Sequence, residues 1–205
     1  MLLADDFFRL SHYDVTGQSL LHPVALSTGL AAALLGELVW TGHLGVKAGH
    51  VFPRQGEPPD ELSARVLALL RRENHPLPTW LEFFALDAVV EVAKRLENAG
   101  HIRVERSRRL VRRTVTYVPT SQLEASRPLS VLATRLLYRL HIDDWYVCLA
   151  GLMAATGLHT TVLAGASPES HTYLRALVAR LEPATQELIA HTEVLVGAAV
   201  LAHRT

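Results

Sequence analysis

Six arginines are concentrated in one short segment, residues 103–113, and they are the side chains best suited to chemistry with an anionic partner. A guanidinium group matches the oxygens of a phosphate through two parallel hydrogen bonds. The segment therefore predicts contact with a phosphate-bearing surface. The arginines are Arg103, Arg106, Arg108, Arg109, Arg112 and Arg113, opposed within the same stretch by Glu105.

Leu110 and Val111 separate the two arginine pairs, where the tip of a β-hairpin is predicted. An apolar tip flanked by cations suits an anionic membrane, because the tip enters the acyl boundary while the arginines stay at the headgroups. A second interpretation is an edge strand guarded by charge against aggregation. A third is that the hairpin mediates self-association of a protein-binding module.

A hairpin that follows a helix is also the outline of a winged helix, whose basic wing contacts DNA phosphates. The helix predicted before Gly100 carries Asp87, Glu91 and Glu97 against Lys94 and Arg95, which is unfavourable for a major groove. Nucleic acid is therefore the less favoured partner.

The remaining polar residues do not form a recognisable catalytic or metal motif. The sequence has no Gly-x-Ser-x-Gly, no His-Glu-x-x-His and no phosphate-binding glycine loop. Cys148 lies in an apolar helix, where a thiol is usually inert. Asp5-Asp6 and Asp143-Asp144 are interpreted as caps at helix starts and not as an acid/base pair. We expect no enzymatic activity, no metal and no cofactor.

Composition predicts a folded, mainly α-helical protein. The 205 residues are 49% apolar, and 20 Lys+Arg balance 20 Asp+Glu, so a large core forms and general disorder is excluded. A single cysteine excludes a disulfide framework. Lys47 and Lys94 are the two lysines; the arginine bias indicates a GC-rich bacterial genome. No signal peptide is recognisable at the N-terminus, so a cytoplasmic location is expected.

Two apolar stretches, 24–40 and 147–166, approach the length that spans a bilayer. The second contains His159 and three glycines and lacks aromatic or basic anchors at its far end. A helix that is apolar all round is also typical of the centre of a helical bundle. We interpret both stretches as buried helices.

The turn and cap signals predict the order of the elements. Asp14 to Gly17 forms a turn, residues 44–51 form a short hairpin, and residues 101–118 form the longer basic hairpin. The predicted helices cover about 27–39, 61–72 after an Asp60 cap, 79–100, 129–140 after Pro128, 143–156, a segment capped by Ser167, and 183 onward.

One pattern occurs twice. The same residue types occur at the same spacing in two segments: Leu38, Gly42, His43 and Val46 in the first, and Leu96, Gly100, His101 and Val104 in the second. Each copy predicts a helix, a glycine stop and an apolar strand that enters a hairpin. Two copies are too few for a solenoid.

Taken in order, these segments resemble the Golgi phosphoprotein 3 family over nearly the whole chain. The matching segments are 2–8, 14–17, 27–30, 37–44, 60–61, 80–82, 96–102 and the Asp143-Asp144 pair with its apolar helix. The resemblance implies a single mainly α domain over 1–205, with a helical core ringed by further helices and a protruding β-hairpin. It also implies a non-enzymatic peripheral membrane adaptor that self-associates, binds phosphatidylinositol 4-phosphate and retains membrane enzymes by their cytosolic tails.

The family's lipid pocket uses a tryptophan and three arginines, and this chain keeps none of them. The tryptophan position falls on His22, the first arginine on Ala31, and the other two near Leu86 and Val89. Phosphoinositide recognition needs clustered positive charge. The resemblance thus leaves His22 as the candidate in the headgroup pocket, and generic anionic lipid as the expected ligand of the hairpin.

Overall fold

Ten α-helices and two antiparallel hairpins make up the part of the chain that the structure describes. The computed structural model describes residues 2–109 and 112–202, without the side chains of residues 107–109, 112–114 and 200. The helices are α1 (Leu3–Leu10), α2 (Pro23–Trp40), α3 (Glu61–Arg72), α4 (Leu77–Ala85), α5 (Ala88–Asn98), α6 (Gln122–Leu137), α7 (Asp144–Ala155), α8 (His159–Val162), α9 (Pro168–Val178) and α10 (Pro183–Ala202). The strands are β1 (Leu44–Lys47), β2 (His50–Pro53), β3 (Ile102–Arg109) and β4 (Arg112–Pro119). The predicted mainly α fold with a basic hairpin is confirmed.

Helix α2 is the centre of the fold. It packs against α1, α3, α4, α5, α7 and α10, and Leu30, Leu35 and Leu38 are fully buried. Among the described residues, α2 is the one helix long and apolar enough to cross a membrane, but 78% of that span is buried by the rest of the protein. The burial explains its uniform apolarity, because every side of a central helix faces other side chains.

The second apolar stretch is not one helix. It forms α7 and then the single turn α8, and the two are separated at Gly157, which has φ +77°. Most of α7 is buried, including Cys148, Leu149 and Leu152. The predicted helix over 143–156 is confirmed as α7, and its burial agrees with the interpretation of this stretch as a buried helix, although residues 157–166 do not continue it.

The predicted helix over 79–100 is also wrong, because it is two helices that meet at Leu86 and Asp87. Both residues bond back three positions, Leu86 N–H to the Phe83 carbonyl and Asp87 N–H to the Phe84 carbonyl, each at 3.3 Å. Neither glycine nor proline marks this corner. It allows α4 and α5 to pack separately against α2.

Helix α6 begins earlier than predicted. Ser121 caps it by accepting the Glu124 N–H at 3.4 Å, and Pro128 lies buried within the helix instead of preceding it. Proline removes one hydrogen bond of a helix interior. Burial of Pro128, Leu132 and Leu136 along the same face favours the helix despite that loss.

The repeated pattern is confirmed as a repeated helix end. His43 N–H bonds to the Leu38 carbonyl at 2.8 Å, and His101 N–H bonds to the Leu96 carbonyl at 2.9 Å. Gly42 (φ +76°) and Gly100 (φ +77°) occupy the left-handed position that this end requires. In both copies the chain then enters a hairpin, β1–β2 or β3–β4.

Candidate functional site

The basic hairpin, residues 102–119, is anchored at its root by aromatic packing. The Tyr117 ring meets the rings of Phe8 and His12 edge-on, with centroids 5.2 Å and 5.7 Å apart, and Phe8 stacks on His12 at 4.2 Å. Ile102 is buried in the same core. One face of the hairpin root therefore forms part of the hydrophobic core beside α1.

The predicted turn at Asp14–Gly17 holds strand β4. Tyr117 N–H donates to the Gly17 carbonyl at 3.3 Å, and Gly17 has φ +64°. A Cβ atom at residue 17 would lie 2.1 Å from the Tyr117 carbonyl oxygen. Glycine is required here by both the backbone angle and the close approach of the two backbones.

Polar contacts fix the remaining root residues. Val104 N–H donates to Glu97 Oε1 at 3.2 Å, and the Thr120 hydroxyl donates to the Gly100 carbonyl at 2.7 Å. His101 Nδ1 lies 3.1 Å from Glu124 Oε2. These bonds tie the hairpin to the end of α5 and the start of α6, so its direction is set by the helical body.

The strand register places arginines opposite each other at the distal end. Arg108 pairs with Arg113, and Arg109 pairs with Arg112, while Arg106 pairs with Val115 nearer the root. Like charges directly opposite each other destabilise an antiparallel pair.

The two arginines whose side chains are described are available for an external anion. Arg103 and Arg106 are exposed, and neither forms an ion pair with a carboxylate within the described part of the chain. The side chains of Arg108, Arg109, Arg112 and Arg113 lie outside the described residues, as do Leu110 and Val111 altogether. Their assignment to a lipid interface stays a prediction.

Arg95 contrasts with the hairpin arginines because carboxylates surround it inside the protein. It lies 2.7 Å from Asp5, 3.0 Å from Glu37 and 3.4 Å from Asp60. Burial raises the pKa of Glu37 and of Asp5, although Arg95 opposes the change. Burial also acts to raise the pKa of Asp60, but hydrogen bonds from Ser63 and the charge of Arg95 outweigh it and lower that pKa.

This network joins α1, α2, α5 and the cap of α3, and its role is structural. The prediction that Asp5 and Asp6 cap a helix is wrong: both lie in the first turn of α1, and Asp6 instead accepts from Trp145 Nε1 at 3.3 Å and pairs with Arg9 of the same helix. Asp143 does occupy the position before α7, although its side chain makes no cap hydrogen bond. The sequence signal for the network was Glu37, a single carboxylate inside an apolar helix. Its buried position requires a cation nearby.

His22 is an exposed residue at the start of α2, where its Nδ1 accepts the Val24 N–H at 3.4 Å. Of the positions that match the family's arginines, Ala31 is fully buried, Leu86 is exposed and Val89 is half-buried. A cavity of about 230 Å³ lies near this end of α2. Among the described residues it is lined by His12, Gly17, Ser19, Leu21, Pro23, Leu26, Val89, Val115 and Tyr117.

The walls of this cavity are mostly apolar and include no arginine or lysine of the described chain. A phosphate headgroup needs charged donors or several aligned N–H groups. The cavity is therefore unsuited to a phosphorylated headgroup, and this agrees with the expectation that the chain lacks the family's headgroup residues. Sequence reasoning missed Val115 and Tyr117 as wall residues, because only the fold brings β4 beside the N-terminal half of α5.

Other candidate chemistry finds little support among the described residues. Within ranges 2–109 and 112–202 no three His, Cys, Asp or Glu side chains could hold a metal ion together. Burial raises the pKa of the Cys148 thiol to about 12, so the thiol stays protonated at neutral pH. This protonation agrees with the expectation that Cys148 is inert.

Comparison with known proteins supports the resemblance seen in the sequence. The family profile described as Golgi phosphoprotein 3 (GPP34) matches residues 3–199. No curated protein sequence matches the chain at a significant level. At the level of the family, the match fits a non-enzymatic adaptor of lipids and proteins. Because the match covers nearly the whole chain, this protein belongs to the Golgi phosphoprotein 3 (GPP34) family.

Proposed function

We propose that this protein is a peripheral membrane adaptor that docks on anionic lipid headgroups through its basic hairpin. The observation that carries the proposal is that Arg103 and Arg106 are exposed and have no carboxylate partner in the described chain. The strand register also pairs arginine with arginine at the distal end of the hairpin. Arg95 differs from these residues, because three carboxylates surround it inside the protein. Arginine therefore occurs in two settings here: in internal ion pairs and on the exposed hairpin.

The ligand chemistry proposed is generic anionic lipid. Each basic residue near an anionic membrane contributes about 1 kcal/mol of attraction. A hairpin with six arginines would dock the protein weakly by charge alone, without a pocket for one headgroup. The cavity near His22 also favours generic anionic lipid over phosphatidylinositol 4-phosphate as the ligand, because no arginine or lysine of the described chain lines it.

The adaptor role requires a second partner. We propose that the protein acts at the cytoplasmic side of a membrane, as a homo-oligomer, and that cytosolic tails of membrane enzymes are its cargo. Family membership supports the adaptor part of this assignment. A firmly held hairpin leaves the helical surfaces free to bind protein while the arginines face lipid.

Vesicle pelleting tests the hairpin. Changing Arg108, Arg109, Arg112 and Arg113 together to Gln should lower the low-salt affinity for phosphatidylserine-containing vesicles, measured by pelleting, about 1000-fold, at about 1 kcal/mol per arginine. The matched control changes four exposed arginines elsewhere, Arg72, Arg127, Arg139 and Arg180, to Gln with the same loss of charge.

Equal losses in both variants would show a non-specific charge effect, and unchanged pelleting of the hairpin variant would refute the proposal. High salt should weaken binding of the unmodified protein, because exposed charges are screened. Duplex DNA added as a competitor separates the winged-helix alternative: binding to DNA without binding to vesicles would replace the lipid proposal.

A further inference from the structure

A cleft of about 420 Å³ lies between α9 and α10, with α7 as its floor. Both α9 and α10 pack on α7. Gly151 of α7 lets α10 come close, because a Cβ atom at this position would overlap Ile189 Cδ1. Small-molecule sites in proteins typically measure about 300–1,000 Å³. This space, which we call the α9–α10 cleft, is therefore large enough for a small organic ligand.

The inside of the α9–α10 cleft is mostly apolar. Leu174 and Val178 of α9 line it, and their spacing of four residues places both on one side of the helix. Ile189 of α10 and Ala154 of α7 line it as well. Apolar area removed from water contributes about 25 cal/mol per Å². These walls favour a ligand with a hydrocarbon body.

Polar side chains lie toward one end of the cleft. Gln186 closes the other end, where α9 leads into α10, because its Nε2 donates to the Ala179 carbonyl at 3.1 Å and to the Leu181 carbonyl at 2.6 Å. His171 lies about two helical turns before this junction. Its ring centroid is 6.2 Å from that of His159, and both imidazoles line the cleft. A bound ligand would meet hydrocarbon at one end of the cleft and imidazoles at the other.

Arg175 supplies a cation to the same space. It follows His171 by one turn, it is exposed, and its Nη2 donates to the Thr172 hydroxyl oxygen at 3.1 Å. Within the described residues no carboxylate forms an ion pair with it, although Glu193 lines the same cleft. A guanidinium group binds a carboxylate through two parallel hydrogen bonds. Since one guanidinium and two imidazoles stand against one carboxylate, the cleft favours an anionic ligand over a cationic one.

His159 can donate one hydrogen bond to such a ligand. Its Nδ1 is buried and has no hydrogen-bond partner in the described part of the chain. A buried N–H group without an acceptor is unfavourable, so we assign the proton of the neutral ring to Nε2. Nε2 is then the atom of His159 that donates to a ligand oxygen.

We propose that the α9–α10 cleft binds a medium-chain fatty acid, with its carboxylate at Arg175, His159 and His171 and its chain along the apolar walls. The cleft belongs to helices α7 to α10, whereas the basic hairpin packs on α1 and α5. The inference therefore goes beyond the proposed membrane docking and is independent of it.

Isothermal titration calorimetry with sodium octanoate, kept below its micelle concentration, tests the carboxylate contact. Octanoate should bind saturably and more tightly than octan-1-ol or octylamine, which share its chain and lack its negative charge. Arg175→Gln should weaken octanoate binding about 10-fold and leave octan-1-ol binding unchanged, because it removes charged hydrogen-bond donors. The matched control is Arg180→Gln, at an exposed arginine after α9 that does not line the cleft; it should change neither affinity.

Filling the cleft tests its position. Ala190 lines the cleft and is exposed on α10, so Ala190→Leu takes up ligand space without changing a core residue. It should weaken octanoate and octan-1-ol alike, by about 10-fold, because the chain loses apolar contact. Ala198→Leu makes the same change at an exposed position of α10 outside the cleft and should have no effect. Thermal melts by circular dichroism verify that each variant is folded.

Each result supports or overturns a stated part of the proposal. Octanoate binding that Arg175→Gln leaves unchanged, or tighter binding of octylamine than of octanoate, overturns the carboxylate assignment. Octanoate binding that Ala190→Leu leaves unchanged overturns the cleft as the site. Absence of saturable octanoate binding to the unmodified protein overturns the whole inference, while vesicle pelleting by the hairpin is unaffected by any of these outcomes.

Discussion

At the scale of single residues, surroundings decide what an arginine does in this protein. Arg95 has an exposed side-chain fraction of 14% and contacts three carboxylates from other elements, whereas Arg106 is exposed on a strand. The guanidinium group is charged in both places. We expect only the internal one to contribute strongly to stability, because a buried carboxylate without a cation is strongly unfavourable.

Arg95→Met should therefore lower the free energy of unfolding by about 3 to 5 kcal/mol, since Asp5, Glu37 and Asp60 lose their shared cation. Urea denaturation followed by circular dichroism measures the change. Arg65→Met is the control: Arg65 pairs with Glu61 and Glu91 at the surface, where an ion pair contributes about 1 kcal/mol or less. Similar losses in the two variants would contradict a structural role for the buried network.

His12 makes stability depend on pH. Burial lowers the pKa of His12 from 6.5 to about 4, although its bond to the Phe8 carbonyl opposes the change. Between these values the unfolded chain binds a proton that the folded protein does not, so stability falls as pH decreases. The loss contributed by His12 should reach about 3 kcal/mol by pH 4.

Unfolding free energies of the unmodified protein and of His12→Gln, measured at several pH values, test this expectation. Subtracting the unfolding free energy of the variant from that of the unmodified protein gives the contribution of His12 alone. The raised pKa values of Asp5, Asp6 and Glu37 increase stability as the pH falls, and they do so equally in both proteins. A difference that does not change between pH 7 and pH 4 would contradict the assignment.

At the scale of elements, the hairpin owes its position to a turn that is distant in sequence. Gly17 contacts the backbone of Tyr117, and Tyr117 packs on α1 through Phe8 and His12. The hairpin root is thus held from both sides, by the turn and by the helix. Without that support, β3 and β4 would form an isolated two-stranded hairpin, which is marginally stable at best in water.

Gly17→Ala should release the hairpin root. The new Cβ would meet the Tyr117 carbonyl, so we expect a loss of roughly 2 kcal/mol or more and faster hydrogen exchange at residues 102–106 and 115–119. Gly42→Ala is the control, because its φ of +76° is similar but no atom lies within 4 Å of the added Cβ. It should cost about 1 kcal/mol and leave the hairpin protected. Equal exchange in the two variants would show that the turn does not hold the hairpin.

At the scale of the whole molecule, one core connects the parts. The buried cluster runs from α1 through α2 to α5, α7, α9 and α10, and it includes Ile102 at the hairpin root. Helix α10 also contacts the β1–β2 hairpin, where Glu187 accepts the Ala48 N–H at 3.1 Å. Helices that share a central partner are expected to lose their packing together.

We therefore predict a single cooperative unfolding transition for the whole chain. Differential scanning calorimetry should give a calorimetric enthalpy equal to the van't Hoff enthalpy, with the same midpoint by circular dichroism and by tryptophan fluorescence. Two resolved transitions would contradict the prediction of one domain over residues 1–205.

Local signals along the chain predict the helical class, most element positions and the basic hairpin, because each of these features depends on residues close together in sequence. Each signal affects the backbone only within a few residues of its own position. The signals are the glycine stops at Gly42 and Gly100, the Asp60 cap and the alternation of apolar residues. The order of those segments also sufficed to identify the family. Local signals failed at the α4–α5 corner and at Pro128, where packing outweighs the local preference.

Which charges are internal and which apolar residues are exposed depends on packing between segments that are distant in sequence. Arg95 and Arg106 look alike in sequence, and so do Leu81 and Leu86, yet one member of each pair is buried and the other is exposed. The difference arises from contacts between residues far apart in the chain, such as Gly17 with Tyr117 or Glu37 with Arg95. Burial is a property of the assembled helices, and it determines where this protein can meet a partner.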